Sequence, residues 1–343
     1  MPDMTVRGAG IFGLSVAWAC ALRGARVRVI EVASVGAGAS GGIVGALAPH
    51  VPENWNAKKA FQLESLLMAA DWWTGVEAAS GLASGYARTG RLQPLADARA
   101  VAVARSRADG AAALWQGRAE WQVVRAVGGW EPESPSGWLV ADTLTARVNP
   151  RMGCAALVAA IRASGGEVVP GNAAEVGPVV WATGVAGLVA LSGDVGRAVG
   201  GAVKGQALAL AHDARDLPQL FADGLHIVPH ADGTVVVGST SERVWDDARA
   251  TDAQLDAVHA RAVMACPQLA GAAVVERWAG LRPSAKSRAP MLGTWPGRAG
   301  QFIANGGFKI GFGMAPMVGE VMADLVLEGR DTIPDGFGVA ASL

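Results

Sequence analysis

"MTVRGAGIFGLSVAWACALRGARVRVIEVAS", Met4 to Ser34, decides the fold. It opens with a short β-type run and turns through Gly8-Ala9-Gly10-Ile11-Phe12-Gly13. Apolar residues at helical spacing follow: Leu14, Ala17, Trp18, Ala21 and Leu22. Gly24 supplies a helix-ending signal, and a second apolar run from Val27 to Ile30 ends on Glu31. Strand, GxGxxG, helix, strand and acid in that order predict a dinucleotide-binding βαβ unit. The glycines permit a tight turn and let the backbone approach a pyrophosphate, which rests on the partial positive charge of the helix N-terminus. Glu31 falls 18 residues after Gly13, where a carboxylate can accept hydrogen bonds from ribose hydroxyls. Arg7 stands where an apolar strand residue is expected, and the sequence offers no reason for it.

The rest of the chain narrows the partner. With 51% hydrophobic and 17% charged residues over 343 positions, it should fold as a compact globule with an ample core. A net charge of -1 gives no electrostatic footprint for nucleic acid, which leaves a small molecule as the partner. Cys20, Cys154 and Cys266 stand far apart without a CxxC, which argues against a disulfide framework or a metal site. A reducing, cytoplasmic setting is the expectation, and no basic and apolar leader opens the sequence. "VGPVVWATGVAGLVALSG", Val176 to Gly193, carries no charge, but Pro178, Thr183 and its glycines suit a buried strand and turn better than a membrane span.

The second strand leads into "GAGASGGIVGALAPH", Gly36 to His50. A loop of such small residues can wrap a second large group with backbone contacts, as an isoalloxazine and ribityl chain require, so FAD is favoured over NAD. This loop resembles that of the D-amino-acid oxidase superfamily of flavoproteins, in its glycine oxidase and sarcosine oxidase branch. The resemblance continues in order through "NPRMGCAALVAAIRASGGEVV" (149–169), "PVVWATG" (178–184), "VKGQALAL" (203–210) and "HIVPHADGTVVVGSTSE" (226–242). "WAGLRPSAKSRAPMLG" (278–293) and "ANGGFKIGFGMAPMVGEVMADLV" (304–326) complete it.

The resemblance implies an α/β fold with an α+β insert: a Rossmann-type FAD-binding domain assembled from several segments, with an interleaved mixed-sheet substrate domain. The FAD domain would comprise 1–85, 143–202 and 280–343, and the substrate domain 86–142 and 203–279. The residues agree in part unaided. Asp232-Gly233 predicts a hairpin turn between two strands, and a helix is expected after a Thr251 N-cap. The Trp-rich stretch 91–140 resists parsing. "PGNAAEVG" (170–177) is shorter than the family's paired strands over the adenosine.

By the same resemblance, FAD would be held by Gly8, Gly10, Ile11, Phe12 and Gly13, by Glu31 and Val32, and by Ala39, Ser40, Val44, Gly45, Ala46 and Leu47. Ala174, then Ala182, Thr183 and Gly184, and finally Gly306, Gly307, Phe308, Lys309, Ile310 and Gly311 would complete its contacts. A helix starting near Met314 would aim its N-terminus at the flavin. Arg282 matches the arginine that clamps a substrate carboxylate with its bidentate fork. Lys309 matches a second basic position, and His226 and Ser241 match pocket-lining positions. His50 and His230 could be surface or supporting groups. Gly307 stands where the family often has histidine. Sarcosine oxidases attach flavin through a cysteine after this motif, and 284–302 holds none, so noncovalent FAD is expected. The implied activity is oxidation of a small amine or amino acid, with hydride passing from Cα to flavin N5. The resulting imine would hydrolyse to an oxo acid, with O2 or another acceptor regenerating the flavin. A tRNA carboxymethylaminomethyl-uridine enzyme and a flavin-binding subunit of an amine dehydrogenase are the rival readings. Self-association is left open.

Overall fold

The computed structural model describes residues 1–343. The first part of the chain forms β1 (Met4–Arg7), α1 (Ile11–Leu22), β2 (Val27–Glu31), β3 (Ala46–Leu47), α2 (Ala57–Ser80), β4 (Arg91–Pro94), α3 (Ala98–Trp115), β5 (Trp121–Arg125) and β6 (Trp138–Asp142). Next come β7 (Ala146–Arg147), α4 (Pro150–Ala163), β8 (Glu167–Pro170), β9 (Val179–Trp181) and α5 (Gly184–Asp194). The remainder is β10 (Gly200–Ala211), β11 (Gln219–Ala222), β12 (Leu225–Pro229), β13 (Thr234–Gly238), α6 (Ala253–Ala265), β14 (Val274–Ala285), β15 (Met291–Thr294), β16 (Gln301–Asn305) and α7 (Gly311–Glu328).

Two large sheets organise these elements. One has the order β15-β16-β9-β1-β2-β8, parallel except for the antiparallel edge strand β15. The other has eight strands, β14-β10-β13-β12-β11-β4-β6-β5, antiparallel apart from the β11–β4 pair. This is the α/β architecture with a second, mixed sheet that the family resemblance implies. The stretch 91–140, opaque in sequence, supplies β4, β5 and part of β6 to the second sheet, with α3 between β4 and β5. β10 and β14 run across 202/203 and 279/280, so continuous strands bridge those expected divisions.

The largest core lies around α1, α2, α4 and α7 beside the parallel sheet. From Ile11 to Ala21 every residue of α1 is buried, which is why that helix is apolar all round. Gly319 lets α7 close onto it: a Cβ there would stand 2.7 Å from the Ser15 carbonyl oxygen.

Local boundaries differ from expectation in two places. α7 begins at Gly311 rather than near Met314, because Ile310 is already the capping position. The α6 N-cap is Asp252, not Thr251, and its carboxylate accepts from the Gln254 N–H at 2.9 Å. The Asp232-Gly233 turn is as expected, joining β12 to β13, and Asp232 Oδ1 accepts from Thr234 N at 3.0 Å. The apolar run 176–193 becomes β9 and α5, and no helix is long and apolar enough to cross a membrane. Arg7 acquires a physical account: it ion-pairs with Glu175, donates to Asn172 Oδ1 at 2.9 Å and lies 5.2 Å from the Trp181 ring. It staples the shortened 170–177 loop to the sheet.

Candidate active site

A cavity of about 1100 Å³ runs from the C-terminal ends of β1 and β2 to a face formed by β11, β12, β13 and β14. That exceeds the usual ~300–1,000 Å³ of small-ligand sites, as a dinucleotide plus substrate would require. All the expected cofactor residues line it except Gly13, Leu47, Ala174 and Ile310. Gly13 acts from behind: a Cβ there would sit 2.0 Å from the Gly8 carbonyl oxygen, so it sets how closely α1 approaches β1. Leu47 is core, and the Ala174 carbonyl accepts from Arg28 Nη1 at 3.1 Å. Ile310 packs against the main core.

The dinucleotide end is preorganised by its own polar groups. Glu31 Oε2 accepts from Ala9 N at 2.8 Å and Oε1 from Ala33 N at 3.0 Å, which fixes the carboxylate beside the glycine turn. Ser40 Oγ accepts from Ile11 N at 2.9 Å, tying the 36–50 loop to the start of α1. His230 is part of the same frame: burial pushes its pKa down, and its Nε2–H donates to the carbonyls of Ile43 (3.2 Å) and Val44 (3.1 Å). It pins the loop to the eight-stranded sheet. His50 binds Gln62 and also holds loop geometry. Asn305 Nδ2 donates to the Gly184 carbonyl at 2.8 Å, joining the end of β16 to the 182–184 turn.

Near Gly307 the walls are close: a Cβ would lie 2.8 Å from the Phe12 ring and 3.0 Å from Gly311 Cα. Side-chain-free backbone, a fixed ribose-type acceptor and an open helix N-terminus together fit FAD.

At the other end stands Arg282 on β14, only 8% exposed. Its guanidinium crosses Gly205 of β10 and donates to Ser239 Oγ at 2.7 Å and to the Thr240 carbonyl at 3.2 Å. No carboxylate is ion-paired with it. Burial lowers its pKa to about 10, against the opposing charge of Glu242. Lys309 lies in the turn between β16 and α7, and that turn is tied to the arginine strand by the Phe308 N–H, which donates to the Pro283 carbonyl at 3.0 Å. Burial lowers the Lys309 pKa, with the Arg282 charge adding to the effect. The His226 ring on β12 lies 4.7 Å from that of Phe221, tilted 46° to it, and its Nδ1 is buried with no partner. Burial first, then Arg91 and Lys309, push it down to about 3, so it is neutral near pH 7.

Arg282, Lys309 and His226 therefore meet in one cavity. Ser241 does not: it is exposed and outside the lining, and Ser239, just past the end of β13, touches Arg282 instead. Ser239 carries no local sequence signal, since its contact with Arg282 depends on β14 and the end of β13 being brought together by the sheet. Trp278, Phe221 and Arg249 also line the cavity without having been singled out from sequence. Cys20, Cys154 and Cys266 are buried away from it, with thiol pKa values pushed up to about 12, 12 and 11 by burial. No group of three or more His, Cys, Asp or Glu stands together in a way that could hold a metal ion.

The family model described as FAD dependent oxidoreductase (DAO) matches residues 3–325. Glycine oxidase of Pseudomonas putida is 36% identical over 152 residues, 43% of this chain and 41% of that protein. Glycine oxidase of Bacillus licheniformis is 26% identical over 363 residues, covering 95% of this chain and 93% of that one. The first curated relatives are matched over only 36 to 53% of their own lengths. Among solved structures, glycine oxidase of Geobacillus kaustophilus superposes with a TM-score of 0.84 at 21% identity, covering 98% of both chains, a likeness of fold.

Proposed function

The chain belongs to the FAD dependent oxidoreductase family, and on that premise we propose that it oxidises a small amine or amino acid of the glycine, sarcosine or D-amino-acid type. The observation that carries this reading is Arg282: a buried guanidinium with no carboxylate partner, facing the same cavity as the dinucleotide cradle. A buried, unpaired cation is costly unless a ligand supplies the anion. Its fork suits a substrate carboxylate, and Lys309 adds a point charge to the same group.

Under this reading the parallel sheet and its loops hold noncovalent FAD, and the eight-stranded sheet presents the substrate through Arg282 and His226. FAD, when bound, would supply a two-electron acceptor for the hydride that leaves the substrate Cα, with O2 reduced to H2O2 as the terminal acceptor. The protein's own part is to orient and desolvate. Arg282 and Lys309 fix the carboxylate, neutral His226 adds no further positive charge against a substrate amine, and the close backbone at Gly306 and Gly307 sets the distance to the ring. Water then hydrolyses the imine to an oxo acid and an amine or ammonia.

The direct test is anaerobic titration of the FAD-loaded protein with glycine, sarcosine and D-amino acids. Loss of the yellow absorbance with at least one is expected; an unbleached flavin with every amine tried would defeat the reading. Lys309→Met sharpens it. FAD binding should be unchanged, while affinity falls mainly for substrates that carry a carboxylate.

A further inference from the structure

Behind Arg282 lies a second buried charge cluster that the reaction as proposed does not use. Lys204 on β10 is 3% exposed and Glu242 is 7% exposed. Lys204 Nζ lies 3.6 Å from Glu242 Oε2 and 4.0 Å from Asp252 Oδ2. The main chains of Lys204 and Glu242 exchange two N–H···O=C bonds of 2.9 Å, which zips residues 240–242 onto β10. Glu242 Oε1 also accepts from Gln206 Nε2 at 3.1 Å and from the Thr240 hydroxyl.

Arg282 hangs on this same short segment, since its Nη1 donates to the Thr240 carbonyl. A buried guanidinium beside a buried carboxylate would ordinarily close into a bidentate pair. Here it does not: the guanidinium's hydrogen bonds go to Ser239 and Thr240, while Glu242 is engaged by Lys204, Gln206 and Thr240. Lys204 thus draws on Glu242 and on the more exposed Asp252, and the Arg282 guanidinium is left without a carboxylate of its own, which an entering anion supplies.

We infer that Lys204 is a positioning residue for substrate recognition: it holds Glu242 away from Arg282 and so keeps that guanidinium free for an anionic ligand. The inference rests on the reading of Arg282 as the carboxylate clamp, and its consequence is specific. Glu242 is a competitor of the substrate, and Lys204 is what restrains it. A merely structural ion pair would make both partners supportive, and loss of both would be at least as harmful as loss of one.

The two cases separate in a double-mutant cycle read by calorimetric titration of acetate into the FAD-loaded protein, with circular dichroism and flavin content confirming folding. Lys204→Met should weaken acetate binding about tenfold, because Glu242 then pairs with Arg282; tenfold corresponds to about 1.4 kcal/mol. Lys204→Met combined with Glu242→Gln should bind acetate within about twofold of the parent, by the coupling expected of neighbouring groups. Acetate affinity unchanged in Lys204→Met, or as weak in the double variant as in the single, overturns the inference. Should Lys204→Met not fold, Glu242→Gln alone decides: equal or tighter acetate binding supports a competing carboxylate, and weaker binding overturns it. Arg282→Met separates this from the underlying reading. It should abolish acetate binding, and retained binding would remove the carboxylate clamp itself, and this inference with it.

Discussion

Gly205 is the residue on which the proposed carboxylate clamp turns. A Cβ there would lie 2.0 Å from both terminal nitrogens of Arg282. Those atoms end a flexible side chain, so Gly205→Ala should displace the guanidinium rather than break the sheet. We expect a folded, yellow protein whose KM for carboxylated substrates rises about tenfold to a hundredfold, the ~1.5–3 kcal/mol of a hydrogen bond to a charged group. Steady-state kinetics beside a melting curve checks this, and an unchanged KM would place Arg282 outside substrate binding.

His226 makes a pH-dependent contribution whose sign follows from its environment. Its folded-state pKa lies near 3, below the ordinary 6.5, so the unfolded chain takes up a proton that the folded chain refuses. The stability associated with this group is therefore present above pH 6.5 and lost as pH falls towards 3. His50 and His230 are lowered by burial too and add to the slope. Denaturant unfolding at pH 7.5 and pH 5 should show a smaller loss for His226→Phe than for the parent, by roughly one proton's worth of linkage. Equal losses would mean that the ring is solvated.

Among the elements, the α1–α7 contact is set by glycine. Gly319→Val would drive a side chain into the Ser15 carbonyl, where a Cβ alone would lie at 2.7 Å. Backbone cannot yield as a side chain can, and overpacking of this kind costs about 1–3 kcal/mol. Because α1 begins at the glycine turn, the same variant should also weaken FAD binding; a lowered melting point with unaltered FAD affinity would uncouple the two. The β1–α1–β2 unit was readable in sequence because local rules govern it: period-two strands, glycines where the turn is tight, and an acid at the strand end. The β12–β13 hairpin was readable from Asp232-Gly233 for the same reason. The stretch 91–140 was not, since β4 and β6 pair through contacts far apart in sequence, and the α3 pattern, half exposed, carries no strong apolar stripe. At the site, Arg282 and Lys309 were visible through resemblance, but Ser239, His230 and the Lys204–Glu242 pair depend on which strands become neighbours. Arg7 needed a partner loop at 170–177 before its charge made sense.

At the scale of the whole molecule, the cavity lies where the two sheets meet, so its occupant bridges them. The 36–50 loop touches both sides, through Ser40 to α1 and through the Ile43 and Val44 carbonyls to His230. A ligand that fills about 1100 Å³ at such a junction binds the folded state alone, because no segment of the unfolded chain collects these groups. Mass action then gives about 2.7 kcal/mol of added stability at a hundredfold excess over Kd, and about 4.1 at a thousandfold. The melting temperature should therefore rise by several degrees with FAD, continuously with FAD concentration, and far less with FMN, which lacks the adenosine that the Glu31 end would hold. Because all three cysteines are buried away from the cavity, the flavin should be released when the protein is precipitated with trichloroacetic acid, leaving a colourless pellet and a yellow supernatant. Yellow retained in the pellet would establish a covalent bond from some other side chain. A melting point equally raised by FMN would show that the adenosine half of the cavity contributes little, and would move the weight of cofactor binding to the flavin wall at Gly306 and Gly307.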